Sequence, residues 1–259
     1  MKIIKGLIIL FFLSGICHAE ISTSLWNTQK SQHFIVYYQE APLEYIDELI
    51  SRAEDYYQSI TEELGFTRFQ DFWTWDKRAK IHLFKDKEAY LKMTNQPSWS
   101  AANVHILKRE IYTYINMEDF FEIILPHELG HIIFREFIGY KRKLPLWLDE
   151  GVVSYLEKKK REERLMMVRA MVKTAFFMTL EELEKVEKGS IIMPQVFYAE
   201  SASIIEFLIK AYARDKFVDF CHRLRGLRDD QNWTVALFEV YKFKSLSEMN
   251  GKWQEFLLQ

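Results

Sequence analysis

The segment His127-Glu128-Leu129-Gly130-His131 places two histidines four residues apart, with a glutamate directly after the first. On an α-helix, residues at this spacing lie on one face, one turn apart, so both imidazoles can reach a single metal ion. Zinc takes imidazole nitrogens at roughly 2.0–2.1 Å. Glu128 can then accept a proton from a water molecule at the metal. The five-residue pattern also occurs by chance, so a metal site needs further support.

Glu150 is the candidate third ligand, in the segment 147–155 with the sequence WLDEGVVSY. Residues 132–149, eighteen in all, separate it from His131. Three protein ligands leave the fourth position of a tetrahedral zinc for water, which is typical of catalytic rather than structural sites. We therefore predict one Zn²⁺ per chain, bound by His127, His131 and Glu150.

The spacing H-E-x-x-H-x18-E, followed by W-L-x-E-G-x-x-x-Y, resembles the gluzincin zinc metallopeptidases, and among them the bacterial peptidase MA-like proteins. The resemblance is specific over residues 105–160 and looser over 30–104 and 195–259. It implies an α+β, thermolysin-like catalytic domain, in which a small mixed β-sheet lobe precedes a mostly helical lobe. It also implies hydrolysis of peptide bonds in a peptide or protein substrate by a zinc-activated water, with Glu128 as general base.

In relatives, a tyrosine or histidine beyond the third ligand donates a hydrogen bond to the oxyanion. The candidate here is Tyr198, in a segment FYAES that resembles the Tyr-x-x-Ser segment of peptidase MA-like proteins. The alternative for Tyr198 is packing at a helix start. Tyr155 is expected in the core.

The neighbours of the ligands are assigned by helical geometry. Asp149 points about 100° away from Glu150, so a salt bridge or a solvent-facing position is expected for it. Ser154 lies one turn after Glu150, where some gluzincins place a carboxylate that orients a histidine; the orienting partner is therefore unassigned. Glu136 is expected on the surface. The remaining histidines lack metal spacing and are expected to be paired or exposed: His33, His82, His105 and His222.

Specificity is less visible in the sequence. The Gly-x-Met-x-Asn segment, which binds the substrate amine in aminopeptidase N relatives, is absent, so an endopeptidase is favoured over an aminopeptidase. The strand at 111–115 occupies the place where gluzincins present an edge strand to the substrate. Two other functions stay open: a zinc-containing binding or assembly factor of the cell envelope with little turnover, and hydrolysis of a non-peptide amide.

Composition indicates a globular chain with a sizeable core, because 49% of the 259 residues are hydrophobic and 15% are aromatic. The formal net charge of −2 shows no basic excess for nucleic acid binding. No stable membrane span is expected. Outside residues 1–19, which are discussed below, Cys221 is the single cysteine of the sequence, and its thiol is expected to be buried. The oligomeric state is not indicated.

Residues 1–19 are predicted to be a secretory signal peptide. Lys2 and Lys5 form a positive start, the apolar stretch 6–16 is too short to span a bilayer, and small residues at Cys17 and Ala19 suit a cleavage site. A secreted or periplasmic protein is therefore expected. Lipoprotein anchoring at Cys17 is the less favoured alternative, because Ile16 is large for that signal.

The remaining chain is predicted to form two lobes. Residues 20–116 form an N-terminal α/β lobe with strands at 33–38, 80–84 and 109–116 and helices at 42–64 and 86–93. Residues 117–259 form a helical lobe with the zinc motifs, in which Asn116 is expected to cap the first helix and Pro126 favours a break near residue 125. The charged run 158–164 is expected to be a solvated helix end. Further helices are expected at 146–160, 163–186, 198–213, 215–226, 232–240 and 246–257.

Overall fold

The computed structural model describes residues 26–66, 77–98, 100–187 and 189–259, and the predicted signal peptide lies outside them. A small mixed β-sheet is followed by a mostly helical remainder. The α+β fold class predicted from the sequence is therefore confirmed. The division into lobes at residue 116 stays a prediction.

The sheet of the described chain has five strands in the spatial order β1-β2-β3-β5-β4. The inner pairs β2–β3 and β3–β5 are parallel, and the edge pairs β1–β2 and β4–β5 are antiparallel. The three predicted strands are confirmed as β2, β3 and β5, whereas β1 and β4 are too short to show a period-two pattern. The strands are β1 (Asn27–Lys30), β2 (Phe34–Tyr38), β3 (Ala79–Phe84), β4 (Asn103–His105) and β5 (Glu110–Tyr114).

The position of β5 corrects one prediction. This strand lies inside the sheet, between β3 and β4, so it does not offer a free edge to a substrate. Among the described residues, the two edges of the sheet are β1 and β4, and β4 pairs with β5 on one side. The prediction failed because three residues of edge strand gave no signal in the sequence.

The α-helices confirm most of the predicted bounds to within four residues. Gly65 ends the first helix in the left-handed conformation, with a φ of 75°, as a helix-stopping glycine does. The helices are α1 (Leu43–Leu64), α2 (Lys87–Thr94), α3 (Leu125–Ile138), α4 (Leu146–Leu156), α5 (Lys158–Met171), α6 (Leu180–Leu183), α7 (Pro194–Tyr212), α8 (Arg214–Arg225), α9 (Thr234–Tyr241) and α10 (Leu246–Leu257).

The approach to α3 differs from the prediction in its capping. Asn116 does not cap a helix, because Asp119 precedes a π-helical turn at Phe120–Ile124 that runs directly into α3. Pro126, which has no N–H to donate, lies in the first turn of α3, directly after the π-helical turn. The predicted break near residue 125 is therefore a change of helix type.

Two predicted helices are wrong in extent. The helix predicted at 146–160 ends at Leu156, because Glu157 leaves the helical conformation with a ψ of 76°. The helix predicted at 163–186 ends at Met171, and a short separate helix begins after Thr179. Thr179 and Glu182 form a capping box, which marks a helix start. This signal is present in the sequence, but the prediction followed the hydrophobic period through it.

The core joins the sheet to the helices that carry the zinc motifs. One face of α1 is buried, and this helix contacts both β2 and α3. Cys221 is fully buried, as predicted, and burial raises the pKa of its thiol. No helix among the described residues is long and apolar enough to cross a bilayer.

Candidate metal centre

Two buried helices carry the predicted ligands. His127 and His131 lie on α3 and Glu150 on α4, and their exposed fractions are 2%, 3% and 4%. The two helices approach closely at Gly130, where an added Cβ would lie 2.9 Å from a side-chain carbon of Leu156. A larger residue at this position would require the side chains of Leu156 and Val153 to shift.

A second close approach fixes the other side of α4. An added Cβ at Gly151 would lie 2.6 Å from the main-chain oxygen of Ser201 on α7, a distance that real Cβ atoms essentially never show. α4 is thus held between α3 and α7. The glycine that follows the third ligand is required by packing.

The three side chains converge as a metal site requires. The Nε2 atoms of His127 and His131 each lie 3.7 Å from Oε2 of Glu150. One ligand atom from each residue can be chosen so that all three lie within 4.8 Å of one another. Two ligands at roughly 2.0–2.1 Å from one tetrahedral zinc lie about 3.4 Å apart. The donor set and its spacing therefore fit a zinc ion, and it is the single such cluster in the described part of the chain.

A glutamate that the sequence did not assign contacts the first ligand. Nδ1 of His127 lies 2.8 Å from Oε1 of the buried Glu157. Burial opposes ionisation of this carboxyl, but the hydrogen bond with His127 and the charge of Arg164 together lower its pKa. An ionised Glu157 accepts the Nδ1–H bond, so the Nε2 lone pair of His127 faces Glu150 and the metal position.

Arg164 holds Glu157 in place. Its guanidinium donates to Oε2 of Glu157 at 2.7 Å and to the main-chain oxygen of Ser154 at 2.6 Å. The predicted solvation of the charged run 158–164 is therefore wrong for Arg164. It is also wrong for Arg161, which donates to the main-chain oxygen of Tyr155 and lies 3.8 Å from the ring centre of that buried tyrosine. Tyr155 is in the core, as predicted.

The second histidine also has a carboxylate behind it. Oδ1 of Asp149 lies 3.9 Å from Nδ1 of His131, which is too long for a direct hydrogen bond. Arg135 binds both carboxylate oxygens of Asp149, at 2.9 and 2.8 Å. The salt bridge predicted for Asp149 is confirmed, and it lies beside the metal site.

Glu136 is not the surface residue that the sequence predicts. Its side chain is 12% exposed and accepts hydrogen bonds from Arg109 and from the hydroxyl of Tyr140. Arg109 directly precedes β5, so this ion pair ties the sheet to α3. The prediction failed because the helical spacing from His131 gives the direction of the Glu136 side chain but does not show which other segments pack against it.

Glu128 and Tyr198 both lie by the cluster. Glu128 is fully buried on α3, between the two histidines in sequence. Tyr198 lies near the start of α7, and its pKa is raised first by burial and then by the negative charges of Glu150, Glu157 and Glu128. Their predicted catalytic roles stay predictions, and the effect of the Glu150 and Glu157 charges on the pKa of Tyr198 indicates that this tyrosine lies near the ligands.

The remaining histidines are not members of the cluster. His33 pairs with Glu54 at 2.5 Å, as expected. In contrast to the prediction, His82 is buried and its ring nitrogens have no hydrogen-bond partner among the described residues; its ring stacks between those of Tyr37 and Tyr112. Burial lowers the pKa of His82 to about 4.

Two buried histidines on an H-E-x-x-H helix, joined by a glutamate from the following helix, define a metallopeptidase-like class of protein. The sequence pattern of the Peptidase MA superfamily matches residues 93–259, and the chain belongs to this superfamily. A search of curated proteins found no match. Membership indicates a zinc metallopeptidase.

The contact between Glu157 and His127 predicts an effect on metal affinity. Replacing Glu157→Gln removes the charge that favours the metal-binding tautomer and should weaken zinc binding about 10–100-fold. Competition with a chromophoric chelator measures this affinity. Glu162→Gln, at an exposed site on α5, is the matched control and should bind zinc like the wild type. Equal affinities in both variants would contradict the orienting role.

Proposed function

We propose that the chain is a zinc-dependent peptidase that hydrolyses internal peptide bonds of a peptide or protein substrate. The observation that carries this proposal is the convergence of His127, His131 and Glu150, with their Nε2 and Oε2 atoms 3.7 Å apart and Glu128 buried beside them. Such a site has three protein donors, which is typical of catalytic zinc. The superfamily match supports a peptidase over the other functions.

Zinc bound here would lower the pKa of a water molecule and polarise the scissile carbonyl. Residues of the chain itself transfer the protons. Glu128 takes a proton from the attacking water and delivers it to the leaving amine, as a general base and then a general acid. Its complete burial excludes bulk water from this exchange and strengthens its electrostatic interactions.

Tyr198 is proposed to donate a hydrogen bond to the developing oxyanion. A donor must keep its proton at neutral pH, and the pKa of Tyr198 is raised above its usual value by burial and by the neighbouring carboxylates. The hydroxyl therefore stays protonated and neutral. Preorganised donors of this kind stabilise charge that appears only in the transition state.

The substrate is proposed to pair with the outer edge of β4. Within the part of the chain that the structure describes, this strand, Asn103–His105, has one partner strand, and its other edge can accept an extended peptide through main-chain hydrogen bonds. The missing amine-binding segment removes the feature that restricts aminopeptidase N relatives to chain ends. Together these features favour endopeptidase action.

We also propose export to the periplasm or outside the cell, followed by cleavage after Ala19. The support is the sequence of residues 1–19, with its positive start and apolar stretch. N-terminal sequencing of the exported protein should then begin at Glu20. A lipid-modified Cys17 would contradict this and show a membrane-anchored enzyme.

Two variants separate the metal ligands from the general base. Glu128→Gln should keep zinc and lose turnover by about 10²–10⁴-fold, because it removes proton transfer and no ligand. His131→Ala should lose both zinc and activity. Zinc content is measured by mass spectrometry and turnover by cleavage of a proteome-derived peptide library. Full activity in Glu128→Gln, or a normal zinc content in His131→Ala, would overturn the mechanism.

The role of Tyr198 predicts a change in kcat rather than in KM. Tyr198→Phe removes only the hydroxyl, and kcat should fall about 10²–10³-fold with little change in KM. Tyr212→Phe, at the far end of the same helix, is the control and should keep normal kcat. A packing role for Tyr198 would appear instead as a lower melting temperature with near-normal kcat.

A further inference from the structure

A small cleft lies between α5 and the start of α7, next to the proposed catalytic tyrosine. Its volume is about 90 Å³, and its lining includes Lys160 and Arg164 from α5 and Gln195 and Tyr198 from α7. Because Tyr198 lines the cleft and lies beside the metal ligands, the cleft opens next to the place where a substrate would react. A group bound there would sit within reach of the site.

The charges of the run 158–164 are matched unequally. Its five cations are Lys158, Lys159, Lys160, Arg161 and Arg164. Four of them have a carboxylate within 4.0 Å: Lys158 and Arg161 each pair with Glu63, Lys159 pairs with Asp119, and Arg164 pairs with Glu157. Lys160 is the exception, since no ion pair joins it to any residue that the structure describes.

Among the cations of the run, Lys160 is also the one placed to bind a ligand in the cleft. Its side chain is half-buried in the lining of the cleft, whereas Lys158 and Lys159 are 60% and 54% exposed. Arg164 lies in the same lining, but its charge is compensated by Glu157. Glu163 lines the cleft too and is exposed to solvent, which screens its charge.

The start of α7 adds to the positive potential. This helix has 19 residues and begins at Pro194, which lines the cleft with Gln195. The N-terminal end of a helix carries a partial positive charge from its aligned peptide dipoles. An anion in the cleft would therefore meet the Lys160 ammonium and the helix end together.

We propose that this cleft binds a carboxylate of the substrate, with Lys160 as its charged partner. The proposal rests on the peptidase function argued above and deepens it by assigning a specificity-determining residue. The carboxylate has two sources in a peptide: an aspartate or glutamate side chain, or the free C-terminus. Binding of either would fix the substrate at a constant distance from the reacting bond.

A cleavage profile tests the proposal with three zinc-loaded proteins: wild type, Lys160→Glu and Arg169→Glu. Arg169 is exposed on the same helix and lies outside the cleft, so Arg169→Glu is a control that makes the same change of charge elsewhere. Wild type and Arg169→Glu should prefer peptides with an acidic residue, or a free C-terminus, at one fixed distance from the cleaved bond. Lys160→Glu should lose this preference, with KM for the preferred peptides raised about tenfold and kcat little changed.

Paired peptides identify the source of the carboxylate. Replacing the acidic residue by its amide abolishes the preference if a side chain is bound, and amidating the C-terminus abolishes it if the chain end is bound. A wild-type profile with cleavage but no preference of either kind would overturn the proposal. A preference that survives in Lys160→Glu would overturn it as well.

A binding measurement separates this inference from the peptidase function. N-acetylglutamate methylamide and N-acetylalanine are the two acid probes, and their amides are the controls, titrated by NMR into the zinc-loaded wild type. One acid should bind about tenfold more tightly than its amide, and Lys160→Glu should remove the difference while Arg169→Glu keeps it. An inactive protein with this pattern would refute the peptidase function alone. Equal binding of acids and amides would refute the carboxylate cleft itself.

Discussion

The close contact between α3 and α4 is the constraint on which the rest of the site depends. Two histidines on one helix face supply half of a tetrahedral site, and Glu150 must come from a second helix at the correct distance. Gly130 allows α4 to approach α3, and Gly151 allows α7 to press against α4 from behind. A Cβ at Gly151 would meet the main chain of Ser201, and one at Gly130 would meet the side chains of Leu156 and Val153, so the ligand convergence depends on close helix packing at both glycines.

The buried charges around the cluster follow from this packing. Glu157 interrupts the helical run between α4 and α5, and the interruption turns its carboxylate toward His127 while Arg164 neutralises it. A buried carboxylate without such partners would cost more free energy than an ion pair. The helix break, the histidine orientation and the arginine therefore belong to one arrangement. The same arrangement positions α5 so that Lys160 faces the cleft beside Tyr198.

The sequence predicted the metal ligands because their signal is local. Helical geometry relates His127 to His131, and the eighteen-residue spacing to Glu150 carries the family pattern. The helix bounds were also predictable where a glycine or proline marks them, as Gly65 does at the end of α1 and Pro145 at the start of α4.

The sequence did not predict what depends on tertiary contacts. Glu157 lies two helical turns after Glu150, which would place it on the ligand face, but its contact with His127 requires the helix to end there. The edge strand β4 has three residues, too few for a periodic signal. Glu136 and Arg161 appeared solvated because their partners come from distant segments, at Arg109 and Glu63.

X-ray absorption at the zinc edge of the purified protein identifies the ligands of the bound ion. The spectrum should show nitrogen and oxygen donors at roughly 2.0–2.1 Å, with the outer-shell scattering of two imidazoles and no sulfur. His131→Ala, which should lose the ion, should give no bound-zinc spectrum. A sulfur donor at roughly 2.3 Å, or zinc without imidazole scattering, would contradict it.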